Sequence, residues 1–402
     1  MNQPVFENFD PADFGVDDEE YESLVEMRRH LHANPELSNC EHETAAYVRQ
    51  KLSEFGIDQV ETVAETGVVA LVEGAKQGPT LAWRADIDAL PITEAGEASY
   101  RSTNDGVMHA CGHDAHTTVG LGIARRIHQR RDELAGSVKF IFQPAEEATP
   151  EDEPVGAEKM ARAGVLEDPE VEAIFALHCM PTLEVGRIGH SGGSVWAGSD
   201  LVEIEVHGEK SHGAMPHEGV DAGLVASQIH VALQSVVSRR VDARDSCVLS
   251  IGEIEAGESY NILPQEAKLT GILRSLSLEV SEAAQQEIRR LAESIAHGFG
   301  ASCEVTFTAG ARPVNNDLEL ERRTVDQLRE AHPEVAVERP VQLAAEDFAA
   351  FSRRVPGCYL FLGIRNEEAG IVHGLHTPEF DVDERCLAVG VGAMSDALLR
   401  LP

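Results

Sequence analysis

The segment SVKFIFQPAEE, residues 137–147, combines a largely apolar run with two glutamates shortly after it. A second apolar run, AIFALHC, starts at Ala173 and ends in a histidine and a cysteine. Helical patterns precede both runs, and strands that alternate with helices are typical of a mainly parallel sheet covered by helices. We therefore predict an α/β fold whose polar residues gather beyond the carboxyl ends of the strands, where such sheets bind ligands.

The middle of the chain has a different pattern. LVEIEVHG, residues 201–208, alternates apolar and polar residues as a half-buried strand does. The elements that follow are a helix, two strands, a second helix and a strand, and this order predicts a ferredoxin-like α+β unit. We place the unit at 188–307, as an insertion that divides the sheet domain into 1–187 and 308–402.

Composition excludes several classes of protein. The 402 residues carry a formal net charge of −36, which argues against nucleic acid or an anionic membrane surface as a partner. No apolar run is long enough for a membrane span, and the acidic start does not resemble a signal peptide, so we expect a cytoplasmic protein. Seven cysteines along a chain of this length do not suggest a disulfide framework.

Side chains of the types that bind metal ions occur in four separate segments of the predicted sheet domain. Thiol, imidazole and carboxylate groups together suit zinc, manganese, cobalt or nickel better than calcium or magnesium. Five or six such ligands exceed one tetrahedral site and suit a pair of ions that share a ligand and a water, an arrangement that serves hydrolysis. The set comprises Cys111, His113, Glu146, Glu147, His178 and His376.

Each of these residues, taken alone, has a simpler explanation. Cys111 could be a buried structural thiol, and His178 or His376 could be a satisfied or surface histidine. Adjacent glutamates are most often a solvated loop. A cysteine nucleophile is a further alternative, although the surroundings of Cys111 resemble neither papain nor the caspases. The coincidence of several ligand types at strand ends favours a metal site over these alternatives.

Eight motifs extend the pattern along the chain: MHACGHDAHT, FQPAEE, ALHCMP, SHGAMPHEGVDA, NILP, LRSL, AEDF and LHTPEFD. In this order they resemble the amidohydrolase branch of metallopeptidase family twenty, from about Leu24 to Leu399. The resemblance implies a hydrolase of N-acyl amino acids, similar to aminoacylases, hippurate hydrolases and auxin-conjugate hydrolases. An N-acetyl-diaminopimelate deacetylase, a small-peptide carboxypeptidase and a non-catalytic metal-binding scaffold remain alternatives.

The resemblance also implies roles for single residues in a catalytic domain that binds two divalent metal ions. Glu146 matches the general base, and Asp86 matches an acidic residue that supports the base or a ligand. Arg84 stands where related branches carry a histidine ligand, and His113 would substitute for it. The implied metal ligands are Cys111, which would bridge the ions, His113, Glu147, His178 and His376.

The predicted insertion matches the lid and dimerisation domain of the same family, so the resemblance implies a homodimer formed through it. His212 matches a histidine that polarises the scissile carbonyl. Asn261 and Arg274 match substrate-binding positions, and Arg274 could pair with a substrate carboxylate. Lys210 and Ser211 stand where small glycines are common, a departure that bears on substrate specificity rather than on reaction class.

Overall fold

The structure, a computed structural model, describes residues 9–148 and 153–401. These residues form two compact units. The first contains the residues up to 193, residues 316–340 and the residues from 350 onward. The second contains residues 194–315 and 341–349.

The helices and strands have the following bounds. The α-helices are α1 (Asp18–Ala33), α2 (His42–Glu54), α3 (His113–Gln129), α4 (Gly156–Arg162), α5 (Ala222–Arg240), α6 (Leu278–Gly298), α7 (Leu318–Ala331), α8 (Ala349–Ser352) and α9 (Arg385–Arg400). The strands are β1 (Val60–Val63), β2 (Gly67–Glu73), β3 (Lys76–Asp86), β4 (Ala135–Gln143), β5 (Val171–Glu184), β6 (Ile188–His190), β7 (Ser194–Trp196), β8 (Gly198–His207), β9 (Ser211–His212), β10 (Cys247–Ala256), β11 (Ile262–Leu263), β12 (Glu266–Ser275), β13 (Ser302–Ala309), β14 (Val314–Asn315), β15 (Ala336–Glu338) and β16 (Gly357–Arg365). Short 3-10 helices occupy Pro11–Phe14 and Pro216–Glu218.

The first unit is built on an eight-stranded sheet in the order β1-β2-β4-β3-β5-β16-β6-β15. The four central strands β4, β3, β5 and β16 run parallel to one another, whereas β1 and β2 add an antiparallel edge. Helices α1, α2, α3 and α9 pack against one another, and α3 also packs on β3, β4 and β5. The predicted mainly parallel, helix-covered sheet is thus confirmed.

Burial explains why the central strands are so apolar. The last seven residues of β4 are all buried, and Phe140 and Phe142 are among the largest fully buried side chains. Phe175 of β5 and Phe361 of β16 are buried to the same degree. A parallel strand that is covered on both faces is therefore largely apolar, and its buried polar side chains need partners, as Lys139 has in the carbonyl oxygens of Glu167 and Pro169.

The second unit contains a four-stranded antiparallel sheet in the order β10-β12-β8-β13, with α5 and α6 packed on it. In the order of the chain these are strands two, three, one and four of a ferredoxin-like unit. Val202, Ile204 and Val206 of β8 are fully buried, whereas the residues between them are partly or fully exposed, as the alternating pattern predicts.

The predicted partition of the chain into domains stays a prediction, but the structure adds detail at its edges. Ile188–His190, inside the predicted insertion, forms a strand of the large sheet and pairs with β15 and β16. At the other end, β13 continues to Ala309. Such short edge elements lack the periodicity that would reveal them in a sequence.

None of the helices within residues 9–148 and 153–401 is long and apolar enough to cross a membrane.

Candidate metal centre

The parallel strands bring the predicted ligands to one edge of the large sheet. Asp86 is the last residue of β3, Glu147 follows the end of β4, and His178 lies on β5 just beyond its last pairing with β3. His376 belongs to the segment between β16 and α9. Because the carboxyl ends of neighbouring parallel strands share an edge, residues that are far apart in the chain meet there.

The start of α3 places Cys111 and His113. The helix begins at His113, and Gly112 is its N-cap residue with a left-handed φ of 86°. A Cβ atom on Gly112 would lie 2.9 Å from the Cβ atom of Cys179, so this position requires glycine. Cys111 lies directly before the N-cap residue of this helix.

The ligand atoms of the predicted site form two groups of three, one with Cys111, His113 and His178 and the other with Cys111, Glu147 and His376. Within each group the atoms lie no more than 4.8 Å apart. The Sγ atom of Cys111 is 3.4 Å from Nε2 of His178 and 3.3 Å from Nε2 of His376. Cys111 is common to both groups, so its sulfur is placed to be shared between two ions.

His113 and His178 are oriented as metal ligands usually are. The Nδ1 atom of His113 lies 2.9 Å from the carbonyl oxygen of Asp88, and that of His178 lies 2.8 Å from the carbonyl oxygen of Cys179. With Nδ1 donating to a carbonyl, Nε2 is the nitrogen left to bind a metal ion, which would displace any proton on it. Two atoms of the site are buried without a hydrogen-bond partner, Nε2 of His113 and Oε1 of Glu147. Such unsatisfied atoms are expected where a cation would bind.

A third group, formed by Asp86, His113 and His116, is less suited to hold an ion. The Nε2 atom of His116 accepts the N–H of Cys179 at 2.7 Å, so Nδ1 carries the proton that it shares with Oδ1 of Asp86 at 2.6 Å. Both ring nitrogens of His116 are therefore occupied. Arg84 donates to Oδ2 of Asp86 at 2.6 Å. The residue at this position is therefore a hydrogen-bond partner of Asp86 rather than a metal ligand.

The buried carboxylates and histidines of the site shift one another's pKa values. Burial would raise the pKa of Asp86, but its interactions with His113, His116 and Arg84 outweigh burial and hold that pKa well below its usual value. Burial would likewise lower the pKa of His113, but Asp86 and Asp88 raise it to about 10.

At Cys111, burial and the neighbouring charges shift the pKa in the same direction. Burial raises the pKa of its thiol well above the usual value, and the charges of Glu147 and Glu146 raise it further. A thiolate at this position therefore requires cations beside it. Sulfur, imidazole nitrogen and carboxylate oxygen atoms surround the position, and together they are a suitable ligand set for such cations. The residues present thus fit two divalent ions.

Glu146 lies next to these groups. One of its carboxylate oxygens is within 4.8 Å of the ligand atoms of His113 and Glu147. Since the side chains at successive positions point in different directions, Glu146 and Glu147 can serve different purposes in the same site.

The three predicted substrate-binding residues lie in the second unit. His212 is exposed on β9, and its Nδ1 accepts the N–H of Ala214 at 3.0 Å. Asn261 is exposed and accepts the hydroxyl of Ser259. Arg274 lies on β12, and its Nη1 atom is buried without a hydrogen-bond partner. Burial lowers the pKa of this guanidinium.

Sequence reasoning missed one residue that supports the site. Asp88 is fully buried; its carbonyl oxygen orients His113, and its Oδ2 accepts the N–H of Glu147 at 3.0 Å. The available signal was the spacing in RADIDALP, where a second aspartate follows Asp86 at the end of the same strand. An aspartate at the end of a strand is too common in proteins to be singled out by spacing alone.

Comparison with known proteins places the chain in a family. The model of peptidase family M20/M25/M40 matches residues 82–400. The chain is 40% identical over 368 residues to an N-acetylcysteine deacetylase of Bacillus subtilis, with 91% of this chain and 93% of that protein covered. It is 38% identical over 380 residues to thermostable carboxypeptidase 2 of Saccharolobus solfataricus, with 94% of each chain covered.

A solved structure gives the same result. A Bacillus subtilis protein described as a dinuclear metal binding peptidase from the M20 family is 35% identical to this chain, with a TM-score of 0.84. The match covers 96% of this chain and 99% of that one. The chain belongs to peptidase family M20/M25/M40, and it is a metal-dependent hydrolase that acts on amide bonds.

Proposed function

We propose that the protein hydrolyses the amide bond of N-acyl amino acids with two divalent metal ions, drawn from manganese, zinc, cobalt or nickel. Cys111, His113 and His178 would hold one ion. Cys111, Glu147 and His376 would hold the other. The sharing of Cys111 between the two groups is the observation that supports this assignment most strongly.

Glu146 is the general base in this proposal. When bound, the two ions would lower the pKa of a water molecule and polarise the amide carbonyl. Glu146 removes a proton from the attacking water as a new C–O bond forms at the carbonyl carbon. It then gives that proton to the amide nitrogen as the C–N bond breaks, so the products are a carboxylic acid and a free amino acid. Asp86 holds His116 and Arg84 in place beneath the site.

Recognition of the amino-acid part of the substrate falls to the second unit in this proposal. Arg274 binds the substrate carboxylate, because a buried guanidinium nitrogen without a partner is costly unless a ligand satisfies it. It also stands out in a chain with 69 acidic and 33 basic residues, where acidic partners are abundant. Asn261 contacts the same part of the substrate, and His212 polarises the scissile carbonyl.

A peptide substrate is the second candidate. The name of the Saccharolobus relative supports it, since that protein is called a carboxypeptidase. The name of the Bacillus relative supports deacetylation instead. Both reactions need the same metal centre and the same base, so the choice between them depends on how the site receives the acyl group. An N-acetyl-diaminopimelate deacetylase would be a special case of the first reaction.

One experiment tests these alternatives together. The purified protein is analysed for metal and then assayed on N-acetyl, N-benzoyl and indoleacetyl amino acids, N-acetyl-diaminopimelate and dipeptides, before and after treatment with a chelator. We expect two metal ions per chain and turnover of N-acyl amino acids that chelation abolishes. Turnover of dipeptides alone would favour the peptidase. Two bound ions without hydrolysis of any substrate would favour a metal-binding scaffold.

We further propose that the protein is a cytoplasmic homodimer whose subunits meet through the inserted unit. Leu224 and Val231 support this idea, since they lie seven residues apart on one face of α5 and their exposed fractions are 49% and 67%. Light scattering on the wild type and on Val231→Glu tests it. We expect a dimer that the substitution weakens, and a monomeric wild type would contradict the proposal.

A further inference from the structure

Glu41 is a carboxylate with no role in the chemistry proposed above, yet it is fully buried. Its Oε2 atom accepts the hydroxyl of Thr66 at 2.7 Å. Its Oε1 atom accepts two main-chain N–H groups, from Asn39 at 2.9 Å and from Ala145 at 2.8 Å. One side chain thus joins the segment before α2, the segment before β2 and the segment after β4.

The two N–H groups on Oε1 belong to residues with unusual backbone conformations. Asn39 has a φ of 62° and Ala145 a φ of 51°, so both lie in the left-handed region. Asparagine tolerates this region, but alanine does not, because its Cβ crowds the backbone there. Ala145 therefore needs an external interaction to hold it, and the charge-assisted hydrogen bond to Glu41 provides one.

The conformation of Ala145 matters because Glu146 and Glu147 follow it directly. We call residues 144–147 the base turn. A change in φ at Ala145 would redirect both glutamates at once, since the chain beyond it rotates as a whole. The base turn thus sets the direction of a proposed metal ligand and of the proposed base.

Further contacts hold the base turn from two other sides. The carbonyl oxygen of Ala145 accepts the N–H of Gly156 at 3.0 Å, and a Cβ atom on Gly156 would lie 1.7 Å from the carbonyl oxygen of Pro144. The N–H of Glu147 donates to Asp88, whose same Oδ2 atom accepts the hydroxyl of Ser38 at 2.7 Å.

We propose that Glu41 is a positioning residue for the base turn: it holds Ala145 in the left-handed conformation that directs Glu146 and Glu147 toward the metal centre. The roles of the two glutamates come from the function proposed above, on which this inference rests. Glu41 itself touches neither substrate nor metal and acts only through the Ala145 N–H.

The test compares Glu41→Ala, which removes both acceptors, with Glu41→Gln, which keeps an oxygen able to accept the Ala145 N–H. For Glu41→Ala we expect kcat to fall by about 10-fold or more while KM changes little, because misplaced catalytic groups lose rate rather than binding. Titration of the metal-free protein with manganese should show weaker binding at the site that contains Glu147. Glu41→Gln should retain most of both properties.

A second substitution distinguishes positioning from general stabilisation. Glycine adopts a positive φ without the crowding that alanine suffers. Ala145→Gly should therefore restore part of the lost kcat and metal affinity to the Glu41→Ala protein. Thr66→Val is the matched control, because it removes a hydrogen bond from the same carboxylate but leaves the Ala145 N–H bonded. It should lower thermal stability without lowering kcat or metal affinity.

The outcomes separate this inference from the proposed function. If the wild type hydrolyses no substrate but manganese affinity still follows Glu41 and is restored by Ala145→Gly, the function is wrong and the positioning role stands. Wild-type kcat and manganese affinity in Glu41→Ala would overturn the positioning role, as would the absence of any recovery with Ala145→Gly. Should Glu41→Ala fail to fold, Glu41→Asp serves in its place, since it keeps the charge but is too short to reach Ala145.

Discussion

The Nε2 atom of His376 lies 3.3 Å from the Sγ atom of Cys111, although 265 residues separate the two in the chain. The N–H of His376 donates to the carbonyl oxygen of Ala110 at 2.8 Å, so the backbone of one segment is fastened beside the other. His376 has a left-handed φ of 60°, which turns its ring toward the sulfur. The candidate site is therefore complete only when both ends of the discontinuous first unit have come together.

The shared position of Cys111 predicts an unequal response to the loss of single ligands. Cys111→Ala should weaken metal binding in both groups by about 100-fold or more, because even partners that merely orient a ligand are worth 10–100-fold. His376→Ala should weaken only the group that contains Glu147. Metal analysis after dialysis against a metal buffer measures both effects. Two tightly bound ions in Cys111→Ala would show that the sulfur is not shared.

The buried ion pair between Arg28 and Asp114 predicts a large loss of stability. The Nε atom of Arg28 lies 2.8 Å from Oδ2 of Asp114, and neither side chain is exposed. Arg28 also pairs with Asp381 and Glu384, so it is the centre of a buried network. Replacing Arg28 with methionine keeps much of its volume but removes this charge and leaves Asp114 with only His32 beside its Oδ2 atom. The substitution should lower the free energy of unfolding by about 3–5 kcal/mol. Denaturant unfolding of the metal-free protein measures the loss.

An exposed pair supplies the control for that experiment. Arg322 and Glu319 also form an ion pair, but their side chains are 59% and 66% exposed. Glu319→Ala should therefore cost about 0–1 kcal/mol, because solvent screens the attraction. If Arg28→Met is no more destabilising than Glu319→Ala, the buried network does not stabilise the fold as we describe.

Glu321 predicts a dependence of stability on pH. Its side chain is 4% exposed. Burial would raise its pKa, but hydrogen bonds from His190, Asn316 and the N–H groups of Gly192 and Gly193 lower it from 4.5 to about 2. A carboxyl group whose pKa is lower in the folded state stabilises the protein above its unfolded pKa and loses that effect as the pH falls.

The measurement is the difference in unfolding free energy between the metal-free wild type and Glu321→Gln. A shift of this size corresponds to about 3 kcal/mol. The difference should fall by about 2 kcal/mol as the pH is lowered from 6 to 3, because in this range the unfolded chain takes up the proton that the folded protein does not. A difference that stays constant over this range would mean that the carboxylate is not stabilised by its neighbours.

The sequence was sufficient for the parts of the fold that have strong periodicity. The apolar runs of β4 and β5 predicted the parallel sheet, and the alternating pattern of β8 predicted the antiparallel unit, because burial on two faces or on one leaves distinct patterns. The short strand β6 was not foreseen. With three residues it has no period to detect, and its place in the sheet depends on its partners β15 and β16.

The candidate site was predictable in its residues but not in its geometry. The structure brings Cys111, His113, Glu147, His178 and His376 together as the motifs suggested. The backbone conformation of Ala145 and the carboxylate of Glu41 that holds it could not be foreseen, because they are 104 residues apart and neither belongs to a ligand motif. Hydrogen bonds between distant segments leave no local pattern in a single sequence.

The central claim is the proposal that Glu146 acts as the general base and is not one of the metal ligands. The most direct test measures kcat and metal content together in Glu146→Gln, with Glu147→Gln as the neighbouring control. We predict that Glu146→Gln keeps two ions per chain while kcat falls by about 10²–10⁴-fold, and that Glu147→Gln loses metal. A Glu146→Gln protein with two bound ions and the kcat of the wild type would contradict the account.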